Sequence, residues 1–401
     1  MSKSKQKNTW IKPRHRRWWN FANGLLRPIV DHVYNMEIVP FEDDKGQYLV
    51  LANHQTPFDQ FFLSRMFKGS IYFVCTEDLL SNNLFGGIIK HTIQPIPIQK
   101  GAMDFGVIKT CAKVAREGGT IIVFPEGNRT YSGKTGHIKP TIAKLAKFLK
   151  LPIALVKEQG GYSIEPRWSS VIRKGKGKIA VSKVLQYDEY KSLSDDELYT
   201  LICNELYVDD SVDAGIYKCK RPAEYIERAM YVCPHCGLTT FVSNKNTFSC
   251  TKCGTTVTYG QNKQFTPTIG EFPFANMGQW YSYQCDFVNN LSLDMPTDEI
   301  LYTDNVSLSE VIVGKRKKLL FKNMSMRMYA DRIECTAKNQ TFNYDDITGM
   351  AVMGRNKLNF VHNGKTYQVK GNKRFNALKY MNIFYRHKNI KEGQNGTFLG
   401  I

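Results

Sequence analysis

The sequence predicts an α/β domain with a mostly parallel sheet, followed by a four-cysteine ribbon and a small β-rich C-terminal domain. Three observations lead there. Between Gln47 and Val156 short apolar runs alternate with longer stretches of helical periodicity, as strands joined by helices do. Two CxxC pairs occupy residues 233 to 253. The last hundred residues hold strand-like runs around Asn363-Gly364, a dipeptide that favours a tight hairpin turn.

Residues 1–35 read as a basic amphipathic segment. Trp18, Phe21, Ala22, Leu25, Ile29 and Val33 recur at helical spacing, and Pro28 is expected to kink or split the helix. From Met1 to Pro40 eight basic residues stand against two acidic ones. Cations beside an aromatic-rich apolar face describe a helix lying in a membrane interface; the alternative is an ordinary helix packed on the next domain behind a basic tail.

Residues 36–215 carry the alternation, with YLVLAN, SIYFV, PIPI, TIIVF and LPIALV as strands and helical stretches between them. After about Tyr207 the pattern changes. Residues 222–262 hold the ribbon, and residues 263–297, rich in Pro, Gly, Asn and Gln, read as a linker. Residues 298–392 read as the C-terminal domain, with KKLLFKN, MRMYADRIECTA and LNFVHNGKTYQV as strands and a closing helix whose apolar face includes Phe375, Leu378, Met381 and Phe384.

At 401 residues the chain is too long for one ordinary core. Its 55 Lys and Arg against 36 Asp and Glu give a formal charge of +19, which should attract an anionic partner: nucleic acid, a phospholipid surface or a phosphorylated substrate. No run of eighteen uncharged apolar residues and no cleavage-site pattern is present, so neither a spanning helix nor a signal peptide is expected. Ten cysteines, four of them in paired CxxC units, suit a reducing compartment in a chain of this length. A cytoplasmic protein, peripheral on the inner face of the membrane, is the expectation.

YLVLANHQTPFDQ, residues 48 to 60, ends an apolar run with His54 and places Asp59 five positions later. A neutral imidazole can accept a proton, and a carboxylate on its other ring nitrogen fixes the tautomer and stabilises the imidazolium. If the run is a strand and Thr56-Pro57 opens a helix, Asp59 points back toward the strand end, where open α/β folds place their sites. TIIVFPEGNRT, residues 120 to 130, is a second strand running into a turn and carries Glu126, Gly127 and Arg129. Glycine admits close approach of backbone to a ligand, and the arginine fork matches phosphate oxygens.

With both motifs in this order the sequence resembles the glycerolipid acyltransferase family typified by 1-acylglycerol-3-phosphate acyltransferase. Asn53, His54 and Asp59 match its first signature; Phe124, Pro125, Glu126, Gly127 and Arg129 match its F-P-E-G-T-R-S block. IQPIPIQK resembles a segment that in the family ends in arginine, and HIKPTIAKLAKFLKLPIALV resembles the helix and strand that close the domain. The resemblance runs from about Trp18 to Tyr207. Lys100 stands where the family has Arg, Asn128 for Thr, Thr130 for Ser, Thr141 for Gly and Leu155 for Pro. Lysine keeps the charge at 100 and loses bidentate geometry.

The resemblance implies that His54, oriented by Asp59, deprotonates a glycerol hydroxyl that attacks an acyl thioester of coenzyme A or acyl-carrier protein, with no organic cofactor. It implies a lysophospholipid acceptor, 1-acylglycerol 3-phosphate before others, in phospholipid synthesis. Asn53, Glu126, Gly127, Arg129 and Lys100 would hold that acceptor, Arg129 and Lys100 on its phosphate, with Lys139 a further basic candidate.

Cys233, Cys236, Cys250 and Cys253 read as a structural zinc site, since four cysteines leave no open coordination position for catalysis. His235, inside the first knuckle, reads as a loop residue. From Cys233 to Gly260 the charged residues are Lys245 and Lys252, too sparse for a phosphate track, which argues against nucleic acid. The C-terminal domain resembles a pleckstrin-homology-like barrel, and its cluster Lys315, Arg316, Lys317, Lys318 and Lys322 reads as a solvated loop or a headgroup site. A membrane- or nucleic-acid-binding adaptor on an inactive scaffold is the alternative function.

Overall fold

The structure is a computed structural model that describes residues 9–42, 46–76, 80, 83–98, 105–212, 215–312, 317–337, 340–394 and 398–400. Lys100, Lys315 and Arg316 lie outside the described residues. The first layer is a seven-stranded sheet built from β1 (Met36–Ile38), β2 (Leu49–Ala52), β3 (Ile71–Thr76), β4 (Ile96–Ile98), β5 (Thr120–Val123), β6 (Ile153–Gln159) and β7 (Gly177–Leu185). Its order is β1-β7-β6-β2-β5-β3-β4. Every neighbouring pair is parallel except β6 with β7. The five expected strands are all present. β1 and β7, which run opposite to the others, were not legible: β1 is three residues long, and β7 interrupts its apolar positions with Lys178, Ser182 and Lys183.

Helices cover both faces. On one side α1 (Pro13–Tyr34) and α2 (Asp59–Met66) pack on the β2 and β3 side chains that include Val50, Ala52 and Phe73. A third helix, α3 (Asn83–Thr92), precedes β4. On the other side α4 (Phe105–Arg116), α5 (Thr141–Leu149) and α6 (Asp195–Leu206) pack on Leu49, Leu51 and Ile121. Parallel strands buried on both faces read as continuous apolar runs, and Leu49 to Ala52 are all buried.

Helix α1 runs unbroken through Pro28. Its inward side is Trp19, Val30 and Tyr34, with Trp19 against Phe61 and Phe73 at ring separations of 5.6 and 5.4 Å. The stripe singled out by periodicity faces outward: Phe21, Leu25 and Ile29 are 60%, 64% and 63% exposed. The helix therefore has two apolar faces, one packed on the sheet and one exposed.

The ribbon consists of a β8–β9 hairpin (Val232–Cys233 and Gly237–Leu238) and a four-stranded sheet, β10 (Phe241–Asn244), β11 (Thr247–Cys250), β12 (Thr256–Tyr259) and β13 (Phe265–Ile269). Residues 263–297 are thus not a linker. They supply β13 and α7 (Met277–Asn290), whose Trp280 is fully buried, stacked on Phe248 at 5.0 Å, with its indole N–H donating to Val232 O at 2.9 Å. Polar composition hid a helix with a narrow apolar face, capped by Asn276, which accepts from the Gln279 N–H at 3.0 Å.

The C-terminal domain is a seven-stranded antiparallel half-barrel closed by α8 (Leu378–Lys391). It contains β14 (Tyr302–Val311), β15 (Lys318–Met328), β16 (Arg332–Cys335), β17 (Gln340–Asn343), β18 (Ile347–Met353), β19 (Lys357–His362) and β20 (Lys365–Gly371). Asn363 and Gly364, with φ of 48° and 72°, make the expected hairpin turn between β19 and β20. KKLLFKN runs into the first half of the long strand β15. One continuous core joins this domain, the ribbon and α7 to Tyr131, Tyr162 and Trp168 of the α/β layer.

Candidate active site

Because β2, β5 and β6 are mutually parallel, their carboxyl ends emerge at one edge of the sheet. β2 ends into Asn53-His54, β5 into the Phe124–Arg129 turn and β6 at Glu158-Gln159, so the two sequence motifs meet there. The His54 ring lies flat on Phe124, centroids 4.2 Å apart at 18°. His54 O accepts from the Thr130 N–H at 3.1 Å.

His54 Nδ1 is 2.6 Å from Asp59 Oδ2. The carboxylate is completely buried and held by a turn of backbone: Oδ2 accepts from the Gln55 N–H at 2.9 Å, Oδ1 from the Thr56 N–H at 2.9 Å and from the Thr56 hydroxyl. Acceptor-only Asp59 makes Nδ1 the protonated nitrogen, which leaves the Nε2 lone pair free. Burial opposes charge on Asp59, yet its bonds from His54 and Thr56 hold it below the usual carboxylate range. Burial lowers the His54 pKa, Asp59 opposes that shift, and the guanidiniums of Arg129 and Arg167 add to it. The imidazole is thus kept neutral and available as a base.

Glu126, expected to bind a ligand, is tied into the local backbone. Oε1 accepts from the His54 N–H at 2.7 Å and Oε2 from the Gly136 N–H at 2.5 Å, which ties the β5 turn to the base. Burial pushes its pKa up to about 8 despite those two donors. Asn53 is similarly occupied: its side chain donates to Glu158 O at 2.8 Å and accepts from the Glu158 N–H at 2.7 Å, pinning β2 to β6. Both side chains fix the backbone next to His54. Gly127 is exposed, has φ of 67° and offers open space where a side chain would stand. Lys139 sits at the surface with its ammonium 5.9 Å from the Phe398 ring.

Arg129 is not in a surface ion pair with Glu126. Its Nη1 is buried without a hydrogen-bond partner, while burial and then Arg167 press against its charge and Glu165 and Asp59 support it. Arg167, Glu165 and Glu158 were missed in the sequence, where nothing marks a charged residue in or after an apolar strand as belonging to the site. Burial and then the Asp59 charge raise the Glu158 pKa well above the usual range.

The geometry is a neutral imidazole on a buried carboxylate beside an arginine with an unfilled hydrogen-bonding position. Residues 30–156 match the family model described as Acyltransferase. This chain carries an acyltransferase domain. The 1-acyl-sn-glycerol-3-phosphate acyltransferase of Bacillus subtilis (strain 168) is 26% identical over 188 residues, 45% of this chain and 88% of that protein. The crystal structure of the 1-acyl-sn-glycerophosphate (LPA) acyltransferase PlsC from Thermotoga maritima covers 48% of this chain and 74% of its own at 19% identity, with a TM-score of 0.39. O-acyl transfer is the chemistry of the domain, and His54, Asp59, Glu126 and Arg129 all lie within the span matched by the family model.

Beyond the span matched by the family model the four ribbon cysteines are grouped so that they could hold a metal ion. Their sulfurs lie within 4.8 Å of one another. Cys233 to Cys253 is 3.8 Å and Cys250 to Cys236 is 4.0 Å, against edges of about 3.8 Å for a tetrahedron with zinc–sulfur bonds of about 2.3 Å. His235 Nε2 is 2.8 Å from Glu271 O and is engaged outside the set.

Proposed function

We propose that this acyltransferase moves a fatty acyl group from a thioester of coenzyme A or acyl-carrier protein to the free hydroxyl of a lysophospholipid, 1-acylglycerol 3-phosphate before others. The observation that carries the reading is the His54–Asp59 pair at 2.6 Å, set at the same sheet edge as the unfilled Nη1 of Arg129. A base and an anion site are what a phosphate-bearing alcohol requires.

In the reaction Nε2 of His54 takes the proton of the acceptor hydroxyl as its oxygen attacks the thioester carbonyl. Asp59 stabilises the imidazolium, and Glu126 and Asn53 keep the ring in place. Collapse of the tetrahedral intermediate breaks the carbon–sulfur bond, and the imidazolium returns its proton to the departing thiolate. The products are an ester and a free thiol.

Both substrates carry acyl chains, and a lysophospholipid resides at a bilayer. The outward stripe of Trp18, Phe21, Leu25 and Ile29, with exposed Arg17 beside it, suits a helix lying on an anionic, cytoplasmic membrane face. Among the described residues no helix is long and apolar enough to cross a membrane. The cysteine set suits a structural zinc ion, which would hold the β8–β9 knuckle against the shared core; metal content of the purified protein measures it.

Incubation of the protein on liposomes with a labelled acyl thioester and 1-acylglycerol 3-phosphate tests the reading. The expected product is the diacylglycerol phosphate. Absence of acyl transfer to every lysophospholipid offered, with both donor classes, would overturn it.

A further inference from the structure

The acyltransferase site is not closed by its own domain. Residues 354–356 form the turn between β18 and β19 of the C-terminal half-barrel, and this turn docks on the loop that follows β6. Arg167, almost fully buried, donates from Nε to Gly354 O at 3.1 Å, from Nη2 to Val352 O at 2.9 Å and from Nη1 to Arg129 O at 3.0 Å. One guanidinium therefore ties the turn of the C-terminal domain to the FPEGNR turn of the catalytic edge. The docking delivers Arg355, whose Nη2 is 2.5 Å from Glu165 Oε1. Glu165 accepts in addition from the Tyr34 hydroxyl at the end of α1.

The charges do not balance. Arg129, Arg167 and Arg355 bring three cations; Arg167 donates to neutral carbonyls, and Glu165 is the carboxylate paired with Arg355. Nη1 of Arg129 and Nε of Arg355 are both buried without a partner. Arg129 feels Arg167 and Arg355 as repulsive neighbours. With the ionised Asp59 counted beside Glu165 one cation is in excess, and the two unpartnered N–H donors suit the oxygens of a phosphomonoester.

We propose that Arg355 is a substrate-binding residue of the acyltransferase site: with Arg129 it holds the phosphate of the acceptor, so the C-terminal domain supplies part of the acceptor pocket. This rests on the proposed use of a phosphate-bearing acceptor. It gives the half-barrel a function in specificity, and it supplies a second planar guanidinium to a chain that has Lys100 in place of the family arginine. Arg355 exchanges Glu165 for phosphate when the acceptor enters, and Glu165 competes with the ligand for the same fork.

Two readouts test it, both on the full chain. In the first, KM and kcat are measured with 1-acylglycerol 3-phosphate and with uncharged monoacylglycerol for wild type, Arg355→Ala and Glu165→Gln. In the second, binding of glycerol 3-phosphate is followed directly by titration, and thermal unfolding reports whether each variant is folded. Arg355→Ala should raise KM for the phosphorylated acceptor roughly ten- to a hundredfold, the loss of one charged hydrogen bond, with kcat and the uncharged acceptor little changed. Glu165→Gln, which frees the fork while still accepting from Tyr34, should lower that KM or leave it.

A purely structural ion pair would behave otherwise: both variants would lose thermal stability alike and neither would move KM or glycerol 3-phosphate affinity. That result overturns the proposal while transfer by the wild type leaves the function standing. If no acyl transfer occurs with any acceptor yet Arg355→Ala still weakens glycerol 3-phosphate binding, the anion site stands and the reaction assigned to it falls. Should Arg355→Ala fail to fold, Arg355→Lys, which keeps the charge and loses the fork, carries the same comparison.

Discussion

The catalytic edge of the sheet and the core beneath the ribbon hold together by opposite means. At the edge, His54, Asp59 and Thr56 sit within one turn of chain, joined by hydrogen bonds across three to five residues. In the shared core Trp280 meets Val232 across 48 residues, and where the C-terminal domain docks Arg167 meets Val352 across 185. Local hydrogen bonds place a reacting atom; long-range burial decides which domains move as one. The site is therefore a short-range object seated in a long-range frame, and each half can be broken separately.

The largest effect is expected at the local end. Asp59→Asn keeps the shape of the pocket but can no longer anchor the Nδ1–H tautomer, and kcat should fall by roughly 10³–10⁴-fold with the fold intact by circular dichroism. A loss below about tenfold would make the His54–Asp59 contact structural only.

Breaking the frame should leave the chemistry and remove stability. Trp280→Ala deletes a fully buried indole stacked on Phe248, at a cost of about 3–5 kcal/mol. Urea denaturation followed by fluorescence and by activity should give one shared transition moved to lower denaturant. Two separate transitions in the wild type would mean that the α/β layer and the ribbon unfold independently and share no cooperative core.

A smaller effect belongs to α1, where the two apolar faces can be told apart. Replacing Leu25 and Ile29 on the outward face with serine should leave thermal stability nearly unchanged and weaken sedimentation with anionic liposomes by roughly tenfold or more. Trp19→Ser on the inward face should do the reverse. Equal effects on stability from both faces would show that the outward stripe is covered by protein.

The smallest effect is a pH shift. Burial holds the His54 pKa below its ordinary 6.5, so the acid limb of kcat/KM should lie below pH 6.5, with activity lost as pH falls through the folded value. Arg129 contributes to that lowering, so Arg129→Gln should move the limb upward by under about one pH unit, alongside a higher KM. A downward shift would mean that Arg129 is too far from the ring to act on it.

The candidate site was legible in the sequence wherever its residues lie in a short stretch. His54 and Asp59 are five residues apart, and the β2 and β5 motifs converge because both end strands of one parallel sheet. The roles of Glu126 and Asn53 were not legible, since both spend their side chains on backbone groups, which no residue pattern records. α7 escaped notice because its apolar face is narrow and its flanks are rich in turn residues. Arg355 could not have been found: its contact with Glu165 bridges 190 residues and exists only because Arg167 fixes the β18–β19 turn.

The most direct test of His54 as the base is release of free thiol from an acyl thioester on liposomes, with and without 1-acylglycerol 3-phosphate, for wild type and His54→Ala. The expected result is acceptor-dependent release that falls in the variant by on the order of 10⁴-fold, close to background. Undiminished acceptor-dependent release from the His54→Ala protein would contradict the assignment of the imidazole as the base that opens the reaction.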